Sequence, residues 1–279
     1  MKINQTTEDD ITQEVLRRFQ GTADPRLRQI MQSLVTHLHA FVKDVQLTEG
    51  EWWKAIEFLT KTGHMCDANR QEFILLSDTL GVSMVVDLLN HRKPTGATES
   101  TVFGPFHRDG APERATGEDI TGIAKGGTPT LVEGRVLSLD GKPIQGAELD
   151  VWQADPEGLY DQQIAGIDGV NMRGKFHTDR EGRYLVRTTR PVAYSIPDDG
   201  PVGQMLRAAN RHPWRPAHIH FVISAAGYEP VTTHLFDSVD KYLQSDTVFA
   251  VKESLICDFK VENGLCKCHY DFVLKPKAA

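Results

Sequence analysis

The apolar residues of this chain recur with one period up to about residue 92 and with another from about Thr130 onward. That change limits the fold more than any single motif. Leu27, Ile30, Met31, Leu34, Leu38, Phe41 and Val45 fall three or four apart, the stripe of an amphipathic helix. Asp24-Pro25 supplies its start, an acceptor at the N-cap and a proline at the first helical position. Thr48 and Glu51 predict a capping box for the next helix, with Leu47 and Trp52 spaced as a hydrophobic staple. A third helical pattern runs from about Asn69 through Ile74 and Leu75, with Val85, Val86, Leu88 and Leu89 after Gly81.

Past Thr130 the runs are short and β-type: Leu131–Leu137, Ala147–Trp152, Tyr184–Thr188, His218–Ile223 and Tyr270–Leu274. Turn signals separate them at Asp140-Gly141, Asp168-Gly169, Glu181-Gly182 and Asp198-Asp199-Gly200. The expected fold is therefore mainly β with an α-helical N-terminal domain, residues 1–100, and an antiparallel β-sandwich core, residues 101–279. The stretch 93–129, with Gly, Pro and Thr, connects the halves.

Composition excludes several function classes. A formal net charge of -7 without a basic stripe argues against nucleic acid. No apolar run approaches the ~20 residues of a membrane span. The opening MKINQTTEDD is polar and acidic, unlike a secretory leader, and Cys66, Cys257, Cys266 and Cys268 fit a reduced compartment, so a cytoplasmic location is expected. Cys266-Lys267-Cys268 has no second Cys or His pair nearby and reads as small core residues rather than a metal hook.

Chemistry concentrates in Arg215-Pro216-Ala217-His218-Ile219-His220-Phe221. On a strand, residues two apart share a face about 7 Å apart, so both imidazoles can reach one ion. His37-Leu38-His39 is the internal control: in a helix that spacing turns the side chains by about 200° and one ion cannot be shared. Two histidines make half a site. A zinc hydrolase would complete it with an acid, and Asp237 and Asp240 stay open as third ligands. A ferrous oxygenase would want a His-x-Asp/Glu and a distant His, which do not stand out. Tyrosines offer another completion. Tyr160 follows QADPEGL just beyond a strand, and Tyr194 lies in PVAYSIP before the Asp198-Asp199-Gly200 turn.

Taken in order, GRVLSLDGKPIQGAELDVWQAD, Leu159-Tyr160-Asp161, YSIPDDGPVG and RPAHIHF resemble the intradiol ring-cleaving dioxygenases over most of the chain. The resemblance implies one Fe(III) per chain held by Tyr160, Tyr194, His218 and His220. It implies cleavage of an aromatic diol with O2 between its two adjacent hydroxylated carbons. Tyr194 would take a substrate proton, and Arg215 would be a fixed cation beside the developing ring charge. Physical chemistry agrees with that donor set. A phenol with pKa near 10 ionises at neutral pH only beside a strong positive charge. Two phenolates, two neutral imidazoles and one hydroxide neutralise Fe(III), which avoids a large desolvation cost.

The segment Thr98–Phe106, together with Phe73–Gly81 and RHPWRPAHIHF, resembles the branch that cleaves hydroxyquinol, benzene-1,2,4-triol, to 3-hydroxy-cis,cis-muconate or its tautomer maleylacetate. This resemblance implies a pocket in which Leu75 and Asp78 of the helical half face Val102, Phe103, Gly104, Pro105 and Phe106. Ile196, Arg215 and Val248 complete it. Asp78 is the expected acceptor for the third hydroxyl, and a site built for a hydroxyl can reject the analogue lacking it by orders of magnitude. Ser195 stands where these enzymes commonly carry proline, and His234 where catechol-cleaving relatives often carry glutamine. The implied assembly is a homodimer through the helical domain. The alternatives are catechol or a chlorocatechol as substrate, the zinc hydrolase, and a transthyretin-like binding module, whose turns GRVLSLDGKPIQGAELDV also resembles.

Overall fold

The computed structural model describes residues 6–67, 70–164, 166 and 170–277. The turn at Asp168-Gly169 and the start of the third helical pattern at Asn69 lie outside them. The chain divides into two compact units, Met1–Thr60 and Lys61–Ala279. The break falls inside a helix rather than near residue 100, because the third helical pattern packs with the strands that follow it.

The first unit holds α1 (Glu8–Phe19), α2 (Pro25–Asp44) and most of α3 (Glu49–His64). Each start is specified locally. Thr7 and Asp10 cap α1 reciprocally, Asp24 caps α2 with Pro25 at N1, and Thr48 exchanges bonds with Glu51 at 2.9 and 3.3 Å ahead of α3. α1 lies on α2 through Thr12 Oγ1 and His39 Nδ1, 2.9 Å apart, and through Lys43 to Asp9 at 2.7 Å. His39 is thereby occupied away from His37. Leu34, Leu38, Phe41 and Trp53 are each more than half exposed.

The second unit begins with α4 (Glu72–Thr79) and α5 (Val82–Asn90), where the single expected helical stretch breaks at Gly81, φ +74°. A sandwich of two sheets follows. One contains β1 (Pro129–Ser138), and the other β2 (Glu148–Trp152) and β3 (Arg173–His177); β4 (Arg183–Thr189) returns to β1. β5 (Tyr194–Ser195), α6 (Pro201–Ala208) and β6 (Trp214–Arg215) form an excursion, in which β5 and β6 pair only with each other. β7 (His218–Ser224), β8 (Val231–Asp237) and β9 (Ile256–Cys257) extend the second sheet in the order β3-β2-β7-β8-β9. β10 (Lys260–Glu262), β11 (Leu265–His269) and β12 (Phe272–Leu274) join the first.

The sandwich is mixed rather than wholly antiparallel. β11 and β12 both run parallel to β1, and β9 runs parallel to β8. β11 and β12 are one strand interrupted at Tyr270-Asp271, opposite Gly134 and Arg135 of β1. A Cβ on Gly134 would stand 1.8 Å from the Tyr270 carbonyl oxygen, so this crossing admits only glycine.

Between the sheets, Val132, Val136, Leu149, Val151, Phe176, Val186, Ile219, Phe221, Ile223, Leu235 and Phe272 form the core, all at or near complete burial. On β7 the core residues are Ile219, Phe221 and Ile223, each contributing about 1.5–3 kcal/mol by burial. A one-residue slip would drive His218 and His220 into hydrocarbon, so core packing on one face fixes both imidazoles on the other. Cys266 and Cys268 point into this core from β11, and the cysteines are free thiols. Among the described residues no helix is long and apolar enough to cross a membrane.

Candidate metal centre

On the outer face of β7, His218 and His220 present their Nε2 atoms to each other 3.1 Å apart. His218 Nδ1 lies 2.7 Å from the Pro216 carbonyl oxygen, so it carries the proton and Nε2 carries the lone pair. Tyr160 enters from the loop after β2, with its hydroxyl 2.8 Å from His220 Nε2. Tyr194 comes from β5, with its hydroxyl 3.4 Å from Arg215 Nη1, itself 3.3 Å from His218 Nε2. Both phenols, both imidazoles and the guanidinium are at most 3% exposed.

Each phenol is held by a different device. Tyr160 stacks on Phe106, ring centroids 4.5 Å apart, and its backbone N–H donates to Gln163 Oε1 at 2.9 Å. The next residue, Asp161, accepts two bonds from Arg173 at 2.7 and 2.6 Å, and Arg173 also donates to the Phe106 carbonyl. This buried clamp had no signal in the sequence beyond Asp161's place beside Tyr160. Tyr194 instead faces Arg215 across the β5–β6 ribbon. Arg215 is locked by Asp246 through bonds of 3.1 and 3.3 Å, and Asp246 also accepts from the backbone of Val248 and Ala250. Ser195 is pinned in the same ribbon: the Ile196 N–H donates to Pro213 O at 3.0 Å, and the Ser195 hydroxyl to Ile196 O at 2.9 Å.

The electrostatics favour neutral imidazoles beside a permanent cation. Burial pushes the His218, His220 and His234 pKa values well below the ordinary histidine range, helped for each by Arg215. Burial opposes the Arg215 charge, but the Asp246 carboxylate and the Tyr194 and Tyr160 oxygens together outweigh it and hold the guanidinium ionised. Burial drives the Tyr160 pKa well above 10, with the Tyr194 charge adding to it. Such a phenolate forms only with a strong cation in contact.

These donors fit a metal ion. Two ligand atoms at right angles and about 2.0–2.1 Å from one first-row ion stand about 3 Å apart. The separations of 2.8 and 3.1 Å around His220 Nε2 match that spacing. Asp237 and Asp240 do not join. Asp237 pairs with Arg190 at 2.8 Å, and Asp240 caps the Ala217 and Tyr242 N–H groups. Arg215 is interior and ion-paired with Asp246. Among the described residues, His218, His220 and His234 form the cluster in which one ring nitrogen of each lies within 4.8 Å of the others. His234 was visible in the sequence only as an unusual residue at its position.

The expected pocket residues divide. Leu75, Pro105, Phe106 and Ile196 line a cavity of about 480 Å³, with Arg70, Glu72, Asp198 and Asp199 at its polar side. Gly104, φ +76°, lies against the His220 ring, where a Cβ would be 3.5 Å from Cε1. Val102 and Val248 pack with Met84 and Phe236, and Phe103 packs on Trp152 and His107. Asp78 is buried, and its carboxyl pKa is raised chiefly by that burial. A second cavity of about 610 Å³ lies between the 91–100 segment and Lys252, Tyr270 and Val273. None of the expected site residues line it, whereas Leu75, Pro105, Phe106 and Ile196 line the smaller one.

A protein family described as Dioxygenase matches residues 102–276, and one described as Catechol dioxygenase N terminus matches residues 24–98. The chain belongs to the intradiol ring-cleavage dioxygenases, enzymes built on non-heme iron. It is 52% identical to 6-chlorohydroxyquinol 1,2-dioxygenase of Cupriavidus pinatubonensis, over 96% of this chain and 97% of that one. It is 53% identical to hydroxyquinol 1,2-dioxygenase of a Rhizobium species, over 91% and 86%. The crystal structure of hydroxyquinol 1,2-dioxygenase from Pseudomonas putida DLL-E4 superposes with a TM-score of 0.91 at 50% identity, covering 97% of this chain and 99% of that one. Family membership sets aside the binding module and the zinc hydrolase.

Proposed function

We propose that this chain cleaves hydroxyquinol with O2 between the two adjacent hydroxylated carbons, giving 3-hydroxy-cis,cis-muconate or its tautomer maleylacetate. One Fe(III) per chain would be held by Tyr160, Tyr194, His218 and His220. The observation that carries the reading is the convergence of two phenol oxygens and two imidazole Nε2 atoms beside a buried, ion-paired arginine. The hydroxyquinol dioxygenases among the relatives support the substrate.

Bound there, the ferric ion supplies the Lewis acidity that holds an aromatic diol as its dianion. The chain's own groups do the rest. His218 and His220 stay neutral, because burial disfavours their protonation, and so keep their Nε2 lone pairs available. The Tyr194 oxygen receives a substrate hydroxyl proton. Arg215, 3.4 Å from that oxygen, faces the charge that develops as the ring loses aromaticity, with no water reorganisation required. Leu75, Phe106 and Ile196 press the ring faces and exclude water. Asp78 pairs with the third hydroxyl, while Val102, Phe103, Gly104, Pro105 and Val248 shape the remaining wall.

Residues 1–100 would form the dimerisation domain and residues 101–279 the catalytic domain, a division supported by the matched family segments 24–98 and 102–276. The exposed apolar side chains of α2 and α3 support a homodimer through the helices. A cytoplasmic location suits the free thiols. Turnover of hydroxyquinol, catechol and chlorocatechols, with product identification, tests the reading. A kcat/KM for hydroxyquinol at least tenfold above catechol is expected, and equal values overturn the substrate assignment.

A further inference from the structure

Arg70 is the only cation among the described residues that line the cavity of about 480 Å³, and it bridges two of its walls. Its Nη1 donates to Asp199 Oδ1 at 2.8 Å, and its Nε to Glu72 Oε2 at 2.9 Å. The two carboxylates differ in exposure. The Glu72 side chain is fully buried, and its Oε1 accepts the Val202 N–H at 3.1 Å in the first turn of α6. Gly200 lies so near that a Cβ there would stand 2.5 Å from the same oxygen. The Asp199 side chain, at the edge of the cavity, is 71% exposed.

Glu72 is therefore a fixed anchor for Arg70, whereas an exposed pair such as Arg70–Asp199 is weak and exchanges readily. The other acids on the lining are held in place. Asp198 pairs with Arg207 at 3.2 Å, and Asp67 accepts the Arg70 N–H at 2.8 Å. Asp199 displays what Nη1 can take at this position, a carboxylate oxygen in a charge-assisted hydrogen bond. The proposed substrate is a neutral triol, and its product is a dicarboxylate formed in this same cavity. An arginine open to the cavity would retain that product and admit aromatic acids. One capped by a carboxylate of its own chain does neither.

We propose that Arg70 is a carboxylate subsite at the mouth of the substrate cavity, filled by Asp199 as an internal stand-in that excludes aromatic acids and lets the dicarboxylate product leave. Resting on the hydroxyquinol reading above, this assignment makes Asp199 a selectivity residue that touches no reacting atom.

The test measures equilibrium binding of 3,4-dihydroxybenzoate and of the neutral 3,4-dihydroxybenzamide to the holoenzyme by calorimetry, without O2 so that no turnover occurs. Asp199→Ala is expected to tighten the benzoate about tenfold, the worth of one hydrogen bond to a charged group, and to leave the benzamide unchanged. The ring-opened dicarboxylate should inhibit hydroxyquinol turnover by the same variant about tenfold more strongly. Adding Arg70→Gln to Asp199→Ala should abolish both gains. Should the loss of Arg70 unfold the chain by leaving buried Glu72 unpaired, Arg70→Gln with Glu72→Gln removes both charges and serves in its place. An Asp199→Ala variant with wild-type benzoate affinity overturns the proposal. Equal tightening of both ligands, which marks a wider opening rather than a freed cation, also overturns it, as does a gain that survives the loss of Arg70. Wild-type protein that does not turn over hydroxyquinol would instead defeat the substrate reading, a separate outcome read in its own assay.

Discussion

Tyr160 and Tyr194 aim their oxygens at the same region from scaffolds of opposite kind. Tyr160 is over-determined: a stacked Phe106, a backbone bond to Gln163, and an adjacent carboxylate locked into the Arg173 pair hold it from three sides. Tyr194 sits on a ribbon of two residues per strand, and its polar neighbour is the Arg215 guanidinium. So few backbone bonds make the ribbon the more easily opened region. The difference matches a division of labour in which one oxygen stays in place and the other accepts a proton from substrate.

The sharpest way to break this contrast is to remove each hydroxyl. Tyr160→Phe is expected to abolish iron retention and turnover. Tyr194→Phe is expected to retain iron with a shifted absorption band and a lower kcat. Iron content and visible spectra of both variants check this, and identical losses would erase the distinction between the two phenols.

Next in size are the two buried ion pairs behind the tyrosines. Removing one partner of such a pair typically costs about 3–5 kcal/mol, since the other charge is left unpaired. Arg215→Gln strands Asp246, and Asp161→Asn strands Arg173, so urea melts should show similar losses. Activity should separate them. In the proposed reaction Arg215 faces the reacting atoms, and its loss is expected to lower kcat about 10²–10³-fold. Asp161 acts through the position of Tyr160, so its loss should weaken iron binding about 10–100-fold while turnover per bound iron stays near wild type. A large fall in turnover per iron for Asp161→Asn would show that the clamp does more than hold Tyr160.

What the sequence disclosed follows the range of the interactions. Helix starts at Asp24 and Thr48 are local, and the structure forms both caps. The i, i+2 histidines are legible because strand geometry alone puts them on one face. The groups that finish the site are contributed from afar. Trp152 and His234 flank His220 only because β2, β7 and β8 pair in one register. Arg173 and Asp246 meet their partners from 12 and 31 residues away. The parallel pairings of β9, β11 and β12 were equally hidden, since short apolar runs carry no mark of strand direction. Gly134 could be read only as a weak strand position until Tyr270 was found crossing it.

The smallest effect concerns Asp78, whose charge interacts with Arg215 and Asp246 behind Tyr194. Burial raises its pKa above 3.8, against weaker opposing contributions from Ser83 and Arg215. The folded chain therefore holds this proton more tightly than the unfolded chain. The stability it supplies is complete below the unfolded pKa and is lost as pH rises through the folded value. At neutral pH the wild type carries an incompletely compensated buried carboxylate, so Asp78→Asn should raise the urea midpoint at pH 7, with a gain that shrinks as pH falls toward 4. The same variant should lower the hydroxyquinol-to-catechol ratio of kcat/KM about fivefold, the worth of about 1 kcal/mol of hydrogen bonding. An unchanged ratio would remove Asp78 from the substrate contact. A midpoint that does not rise would mean that Arg215 already compensates the carboxylate, tying Asp78 to the charged scaffold behind Tyr194 rather than to the ring.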